Sequence, residues 1–200
     1  MKYFDVFPTP IYVSIEEDLR CELLPIAVDY ISRYGSPYLG QAGYISTYGN
    51  QFAAEEQHND LRLINFNKFL KQTALKYFSD HMVDASHWKF TPYYLWNKIT
   101  KTGAHPSHSH PGSILSGCFY LQIPKQASPI IFNDPRSYQN HVQYPTVFGD
   151  TSQKYKLLPE YVLNPTESMI LMWPSWLQHE VPNSVIESER IVVAFNLQPY

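Results

Sequence analysis

Residues 190–196 read Arg-Ile-Val-Val-Ala-Phe-Asn, and the alternation in this run indicates the kind of fold the chain adopts. Because side chains two residues apart on a strand share a face, Arg190, Val192, Ala194 and Asn196 point the same way. That face is small or polar, which is typical of a barrel lumen with room for a ligand. A guanidinium at the start of an apolar strand must find an anion or reach solvent. Arg190 therefore either points into the barrel, where it can bind a carboxylate, or lies at the surface.

Short apolar runs separated by turn residues occur from residue 90 onward. They are Tyr93–Ile99, Gly117–Ile123, Ile130–Phe132, Glu167–Trp173 and Ile191–Leu197. Several short strands at this spacing indicate a β-sandwich or barrel. The 16 tyrosines and 11 phenylalanines favour the same class, since aromatic side chains suit a pleated, half-buried surface.

The first part of the chain has a different pattern. Residues 3–15 alternate around two prolines and predict an extended edge strand. Apolar residues at three- and four-residue steps predict helices over 16–32 and 59–82, with Pro25 expected to kink or divide the first. Between them, residues 35–55 are rich in Gly, Ser, Tyr and Asn, and predict an irregular region with one short strand at most.

The bulk properties predict one cytoplasmic domain. We expect residues 1–200 to form a single unit, with helical support mainly in 16–82 and a β-core mainly in 90–197. The net charge of -3 gives no positive field for nucleic acid or an anionic membrane. The start of the chain lacks the apolar run of a signal peptide, and no stretch has the length of a membrane-spanning helix. Cys21 and Cys118 form no metal-binding or disulfide pattern, which suits a reducing compartment.

The histidines are unevenly placed. Residues 105–110 read His-Pro-Ser-His-Ser-His, and His179 follows a strand-like run. If the segment is a strand, His108 and His110 share a face and can converge on one metal ion, for which imidazole is a suitable ligand. The alternative is a set of solvated loop histidines. No spacing argument applies to the remaining histidines outside this segment, which are His58, His81, His87 and His141.

Together these residues resemble a known family, over roughly 93–196. The motifs that carry the resemblance are Trp96-Asn97, the His108-x-His110 pair, Ser116-Gly-Cys-Phe-Tyr-Leu121, Trp173-Pro-Ser-Trp-Leu-Gln-His179, Arg190 and Phe195-Asn196. They are similar to the 2-oxoglutarate-Fe(II) oxygenases common in marine bacteria and their tailed phages, which are distant relatives of the prolyl hydroxylases. The resemblance implies a mainly β fold with N-terminal helices, a double-stranded β-helix (jelly-roll, cupin-like).

The resemblance also implies a set of cofactor contacts. The wider superfamily holds iron with an HxD/E…H motif and binds the far carboxylate of 2-oxoglutarate with a downstream arginine or lysine. Carried over, His108 and His179 are Fe(II) ligands and Arg190 is the carboxylate anchor. Tyr120 shares strand parity with Ser116 and Cys118, so its hydroxyl is expected to face the pocket and assist Arg190. The alternative is that it is only an aromatic of the barrel wall. Asn97 is expected to hydrogen-bond a ligand or an iron-bound histidine.

The chain departs from the superfamily at His110, where a carboxylate is usual. Three neutral histidines leave an Fe(II) complex one negative charge short of the two-histidine, one-carboxylate site. His110 is taken as the third ligand and His105 is the reserve. Asp150 and Glu180 are the carboxylates that remain as alternatives.

The resemblance implies an Fe(II)- and 2-oxoglutarate-dependent dioxygenase of the hydroxylase type, in the cytoplasm of a bacterium or of a phage-infected host cell. Two alternatives stay open: a non-catalytic jelly-roll module, such as a virion-associated protein, and a three-histidine dioxygenase that does not use 2-oxoglutarate. The expected partner is a small-molecule, peptide or protein substrate. Its specificity is expected in loops 35–55 and 133–157. A homodimer remains open.

Overall fold

A computed structural model describes residues 8–81, 83–136 and 160–199. The helices in this part are α1 (Glu17–Tyr34), α2 (Gln51–Asn59) and α3 (Ile64–Asp80), with single 3-10 turns at Tyr38–Gly40 and Leu61–Leu63. None of the helices in these ranges is both long and apolar enough to cross a membrane.

The strands form two antiparallel sheets. They are β1 (Tyr12–Ile15), β2 (Ser36–Pro37), β3 (Tyr44–Ser46), β4 (Phe90–Ile99), β5 (His105–His108), β6 (Leu115–Gln122), β7 (Ile130–Asn133), β8 (Glu160–Leu163), β9 (Met169–Pro174), β10 (His179–Val181) and β11 (Arg190–Pro199). The larger sheet has the order β1-β9-β6-β11-β4-β3-β2, and the smaller has the order β5-β10-β7-β8. This is the predicted double-stranded β-helix, a mainly β fold with helices near its N-terminus.

The larger sheet buries both of its faces, and the pleat separates two cores. One face packs against α1 and α3, where the ring of Tyr30 stacks on that of Trp96 at a centroid distance of 5.1 Å. The other face packs against the smaller sheet, where Tyr120 and Trp173 lie in one cluster with Phe132. Stacked aromatic pairs contribute about 1 kcal/mol beyond the area they bury. The helices therefore support the sheet from behind and leave its other face to form a site.

Gly117 in β6 is required by this packing. A Cβ atom there would lie 2.2 Å from the ring of Phe195 and 2.3 Å from the carbonyl oxygen of Leu171. Both distances are far inside van der Waals contact, so only glycine fits between β9 and β11. The position therefore reflects close packing of strands.

The N-terminal helices differ from those predicted. α1 runs through Pro25 without being divided. Proline removes the hydrogen bond to the carbonyl four residues earlier, and that carbonyl belongs to Cys21, an exposed residue. α2 lies partly in the stretch predicted to be irregular, and its start is capped by Asn50, whose side chain accepts a 3.1 Å hydrogen bond from the backbone N–H of Ala53.

The second predicted helix, over 59–82, is two elements: α2 ends at Asn59 and α3 begins at Ile64. Asp60 lies between them and accepts a 2.9 Å hydrogen bond from the backbone N–H of Arg62, which starts a new turn instead of continuing α2.

The five predicted strands are all present within a few residues of their predicted bounds, as β4, β6, β7, β9 and β11. β1 covers part of the predicted segment 3–15 and lies at an edge of the larger sheet, as its prolines suggested. Residues 3–7 lie outside the described ranges. β5, β8 and β10 are too short to show a period of their own, and they form only by pairing in the smaller sheet.

Candidate metal and carboxylate site

A cavity of about 610 Å³ opens between the two sheets. Its floor is the face of β11 that carries Arg190, Val192, Ala194 and Asn196, all of which line it. The alternation in 190–196 predicted this face correctly. The volume lies in the range of small-molecule sites.

Three histidines converge at this cavity. One ring nitrogen from each of His108, His110 and His179 lies within 4.8 Å of the other two, and the Nε2 atoms of His110 and His179 are 3.3 Å apart. His108 and His179 are paired across β5 and β10, which brings their rings to a centroid distance of 4.3 Å. Such a set of imidazoles is suited to a divalent transition metal.

The strand argument for His110 is wrong, although its conclusion on convergence holds. β5 ends at His108, so His110 lies beyond the strand and its position does not follow from parity. Instead, the backbone N–H of His110 donates a 2.9 Å hydrogen bond to the carbonyl oxygen of Ser175, just after β9. A contact between residues far apart in the chain therefore places this histidine.

Hydrogen bonds and burial leave these histidines neutral with a free nitrogen. The Nδ1 atom of His179 lies 3.0 Å from the carbonyl oxygen of Leu177, and that of His108 lies 2.8 Å from the carbonyl oxygen of Pro106. A carbonyl accepts only from N–H, so the lone pair is on Nε2 in both rings. Burial lowers the pKa of His110 to about 4 and that of His179 to about 3, and it also lowers the pKa of His108.

The reserve candidates have other places. His105 lines the cavity with its Nδ1 atom 2.9 Å from that of His108, and its ring stacks on Tyr38. It therefore contacts a member of the cluster without belonging to the group of three. Glu180 follows His179 on β10 and does not line the cavity, whereas His179 does. Asp150 lies outside the described residues.

Arg190 and Tyr120 lie together at one end of the floor. Arg190 is 4% exposed, and its Nη1 atom donates a 2.7 Å hydrogen bond to the carbonyl oxygen of Ser128. Its Cζ atom is 5.0 Å from the ring centroid of Tyr120. Within the described ranges, Nε of Arg190 and the hydroxyl of Tyr120 have no hydrogen-bond partner. Buried polar atoms are normally paired, so these two indicate a site for an anion.

Burial raises the pKa of Tyr120, which keeps its hydroxyl protonated and able to donate. The guanidinium and the phenol therefore present donors to the same end of the cavity. Ser128, which positions Arg190, was not found from the sequence, because a backbone carbonyl has no sequence signal.

Asn97 lies on the same face, but its side chain is engaged elsewhere. Its Oδ1 atom accepts a 2.7 Å hydrogen bond from Ser46, and its Nδ2 atom donates a 2.8 Å hydrogen bond to the carbonyl oxygen of Leu95. The expected contact of Asn97 with a ligand or a histidine stays a prediction. Loop 35–55 lines the cavity through Tyr38, Tyr44, Ser46 and Tyr48, and its expected role in specificity stays a prediction. Most of the other expected loop, 133–157, lies outside the described residues.

Comparison with known proteins places this site in context. Residues 94–196, just over half of the chain, match the family model described as "Putative 2OG-Fe(II) oxygenase". A search of curated proteins by sequence gives no match.

Similar solved structures include a Pseudomonas putida prolyl-4-hydroxylase, with a TM-score of 0.63 and 11% identity over 96% of this chain and 94% of that one. They also include HygX from Streptomyces hygroscopicus with nickel and 2-oxoglutarate bound, with a TM-score of 0.57 and 12% identity over 96% and 83%. A third is a Trichoplax adhaerens prolyl hydroxylase in complex with a hypoxia-inducible-factor peptide fragment, with a TM-score of 0.53 and 12% identity over 94% and 83%. At these identities, the likeness is one of fold.

Proposed function

The chain belongs to the 2OG-Fe(II) oxygenase family, and on that premise we propose that it is a 2-oxoglutarate-dependent hydroxylase. In this proposal His108, His110 and His179 hold Fe(II), and Arg190 with Tyr120 holds the far carboxylate of 2-oxoglutarate. The observation that carries it is that one cavity holds both a three-histidine cluster and the unpartnered buried donors of Arg190 and Tyr120.

The donor set fits the metal. Three neutral imidazoles can hold Fe(II) and leave positions for other ligands. The hydrogen bonds to the carbonyls of Pro106 and Leu177 hold the rings of His108 and His179 and leave their Nε2 atoms free for a metal. His110 stands where a carboxylate is usual, so the protein brings no negative charge to the metal through these three ligands. An anionic co-substrate would supply part of the missing charge.

The anion site fits a dicarboxylate. Arg190 has one hydrogen bond and no ion pair within the described ranges, so its charge is left for a ligand. A buried guanidinium and a phenol can bind one carboxylate with charge-assisted hydrogen bonds. This need for an anion favours a carboxylate ligand over a neutral one.

When bound, iron and 2-oxoglutarate supply dioxygen activation coupled to decarboxylation of the co-substrate. The chain's own residues bind and orient. Arg190 and Tyr120 fix one end of the co-substrate, and the histidines fix the metal. The side chains of Trp173 and Val192 line the cavity with apolar surface that keeps water from the reacting atoms.

Anaerobic reconstitution tests the proposal. Purified protein is given Fe(II) and then 2-oxoglutarate, and the visible spectrum is followed for the charge-transfer band of the chelate. We expect a band that needs both components, disappears in His179→Ala and persists in Glu180→Gln, a matched control on the opposite side of β10. Metal binding without any such band would contradict a role for 2-oxoglutarate.

One observation favours a second candidate, a dioxygenase that does not use 2-oxoglutarate. The metal cluster within the described residues contains three histidines and no carboxylate. In that case Arg190 would bind the carboxylate of the substrate. Oxygen uptake with a substrate in the absence of 2-oxoglutarate separates this candidate from the first.

A further inference from the structure

The end of the cavity opposite Arg190 has no role in the proposed function. Asn196 lies six positions after Arg190 on β11, which is about 20 Å along a strand. A five-carbon dicarboxylate held at Arg190 is less than half that long. The part of the cavity beside Asn196 is therefore left for a substrate, an inference that rests on the proposed use of the other end.

A chain of hydroxyls orients Asn196 at this end. Its Oδ1 atom accepts a 2.7 Å hydrogen bond from Ser116, whose hydroxyl is also 2.7 Å from that of Ser175. Ser116 is 1% exposed and does not line the cavity, whereas Asn196 does. With the oxygen turned toward Ser116, the amide nitrogen is the group that remains for the cavity. The carbonyl oxygen of the same Ser175 accepts a hydrogen bond from the backbone N–H of His110, so this series of hydroxyls lies next to the histidine cluster.

The amide nitrogen of Asn196 is a spare donor. Within the described ranges it donates no hydrogen bond, whereas both polar atoms of Asn97, the other asparagine on this face, are engaged. Amide nitrogens carry two N–H donors and no acceptor. A ligand group that meets Asn196 must therefore present an acceptor oxygen.

Two tyrosines, Tyr93 and Tyr48, line the cavity at the Asn196 end. Tyr93 lies directly opposite Asn196 across β4 and β11, and burial raises its pKa, which keeps it uncharged. Tyr48 lines the same cavity and lies close enough to Tyr93 to add to the rise of that pKa. Tyr44 lies at the Arg190 end instead, since it pairs with Ile99 and Ile99 pairs with Arg190. Among the described residues the lining contains no Asp, Glu or Lys, and Arg190 is its one charged side chain.

We propose that Asn196 determines specificity by donating a hydrogen bond to the carbonyl oxygen of an uncharged substrate group whose flat apolar part packs against Tyr93 and Tyr48. A neutral amide attached to a ring has this chemistry. A substrate amine does not, because it would meet an N–H donor and no carboxylate. Aromatic faces supply apolar contact area, and the single oriented donor supplies the polar selection.

Two probes that share a ring and differ in the polar group test this directly: phenylacetamide, which is neutral, and phenethylamine, which is cationic. Affinities are measured by NMR titration of ¹⁵N-labelled protein with no metal or 2-oxoglutarate added. We expect phenylacetamide to bind more tightly and to shift the side-chain amide resonance of Asn196. In Asn196→Asp, where Ser116 can still donate to one oxygen, phenylacetamide should bind about tenfold more weakly. Phenethylamine should gain affinity in the same variant.

The controls separate the donor from the fold and from the cofactor chemistry. Asn59→Asp adds the same charge at an exposed position outside the cavity and should leave both affinities unchanged. Tyr48→Ala should weaken both probes alike. If Asn196→Asp does not fold, the resonance shift in the wild-type protein decides. No binding of phenylacetamide, equal affinity in Asn196→Asp, or a wild-type preference for the amine would overturn the proposal. Because no cofactor is present, these results are independent of whether 2-oxoglutarate binds.

Discussion

Replacing Arg190 with methionine should leave the ligand-free protein about as stable as the wild type. Burying the guanidinium costs several kcal/mol of desolvation. Its one hydrogen bond to Ser128 returns about 2 kcal/mol, and its position over the ring of Tyr120 returns about 1 kcal/mol. These terms nearly cancel, and methionine adds apolar packing. The free energy of unfolding should therefore fall by no more than about 1 kcal/mol, a loss of about 2–4 °C in Tm.

The same change should remove the response to 2-oxoglutarate. Loss of a charge-assisted contact in a buried site costs about 3 kcal/mol, which raises Kd on the order of 100-fold. At a concentration 100 times the wild-type Kd, the ligand stabilises the wild type by about 2.7 kcal/mol, or about 5–11 °C. At that concentration the variant is half saturated and gains only about 0.4 kcal/mol, or about 1 °C.

Thermal melts of Mn(II)-loaded protein with and without 2-oxoglutarate measure both quantities. Arg62→Met is the matched control, since Arg62 pairs with Asp60 and Asp29 on the helical side and does not line the cavity. Its shift with 2-oxoglutarate should equal that of the wild type. A full ligand shift in Arg190→Met would refute the carboxylate assignment. A fall of 10 °C or more in the Tm of the ligand-free variant would refute the view that Arg190 binds a ligand rather than stabilising the fold.

Three further predictions concern the histidines and the packing of β6. His179→Ala should abolish stabilisation by Mn(II), whereas His105→Ala should weaken Mn(II) binding by about tenfold to 100-fold, as measured by calorimetry, because His105 only supports a ligand. The free energy of unfolding of the metal-free protein, measured by urea titration, should fall as pH falls from about 6.5 toward 4. The reason is that the folded chain keeps His110 and His179 neutral while the unfolded chain protonates them. A free energy of unfolding that does not change over this pH range would contradict their burial. Gly117→Ala should lower the free energy of unfolding by about 2–3 kcal/mol, seen as a fall in Tm, because its methyl group would overlap the ring of Phe195.

Local periodicity was enough to predict the long strands and the cavity face of β11. A strand alternates strictly, so the side on which Arg190 and Asn196 lie follows from the sequence once one face is known to be buried. Helix boundaries were harder to predict from the sequence. The start of α2 depends on one cap by Asn50 and its end on one turn at Asp60. Such single polar residues are hard to recognise in a sequence stretch that is itself rich in polar residues.

The sequence by itself determined the residue types and the alternating faces, because both follow from short-range geometry. The tertiary structure alone decided which of those residues meet. His110 reaches the cluster through the carbonyl of Ser175, Asn196 is turned by Ser116 from 80 residues away, and Arg190 is held by Ser128 from 62 residues away. Each of these contacts joins segments distant in the chain through one hydrogen bond. No local pattern encodes such a bond, since it exists only after segments distant in the chain have come together.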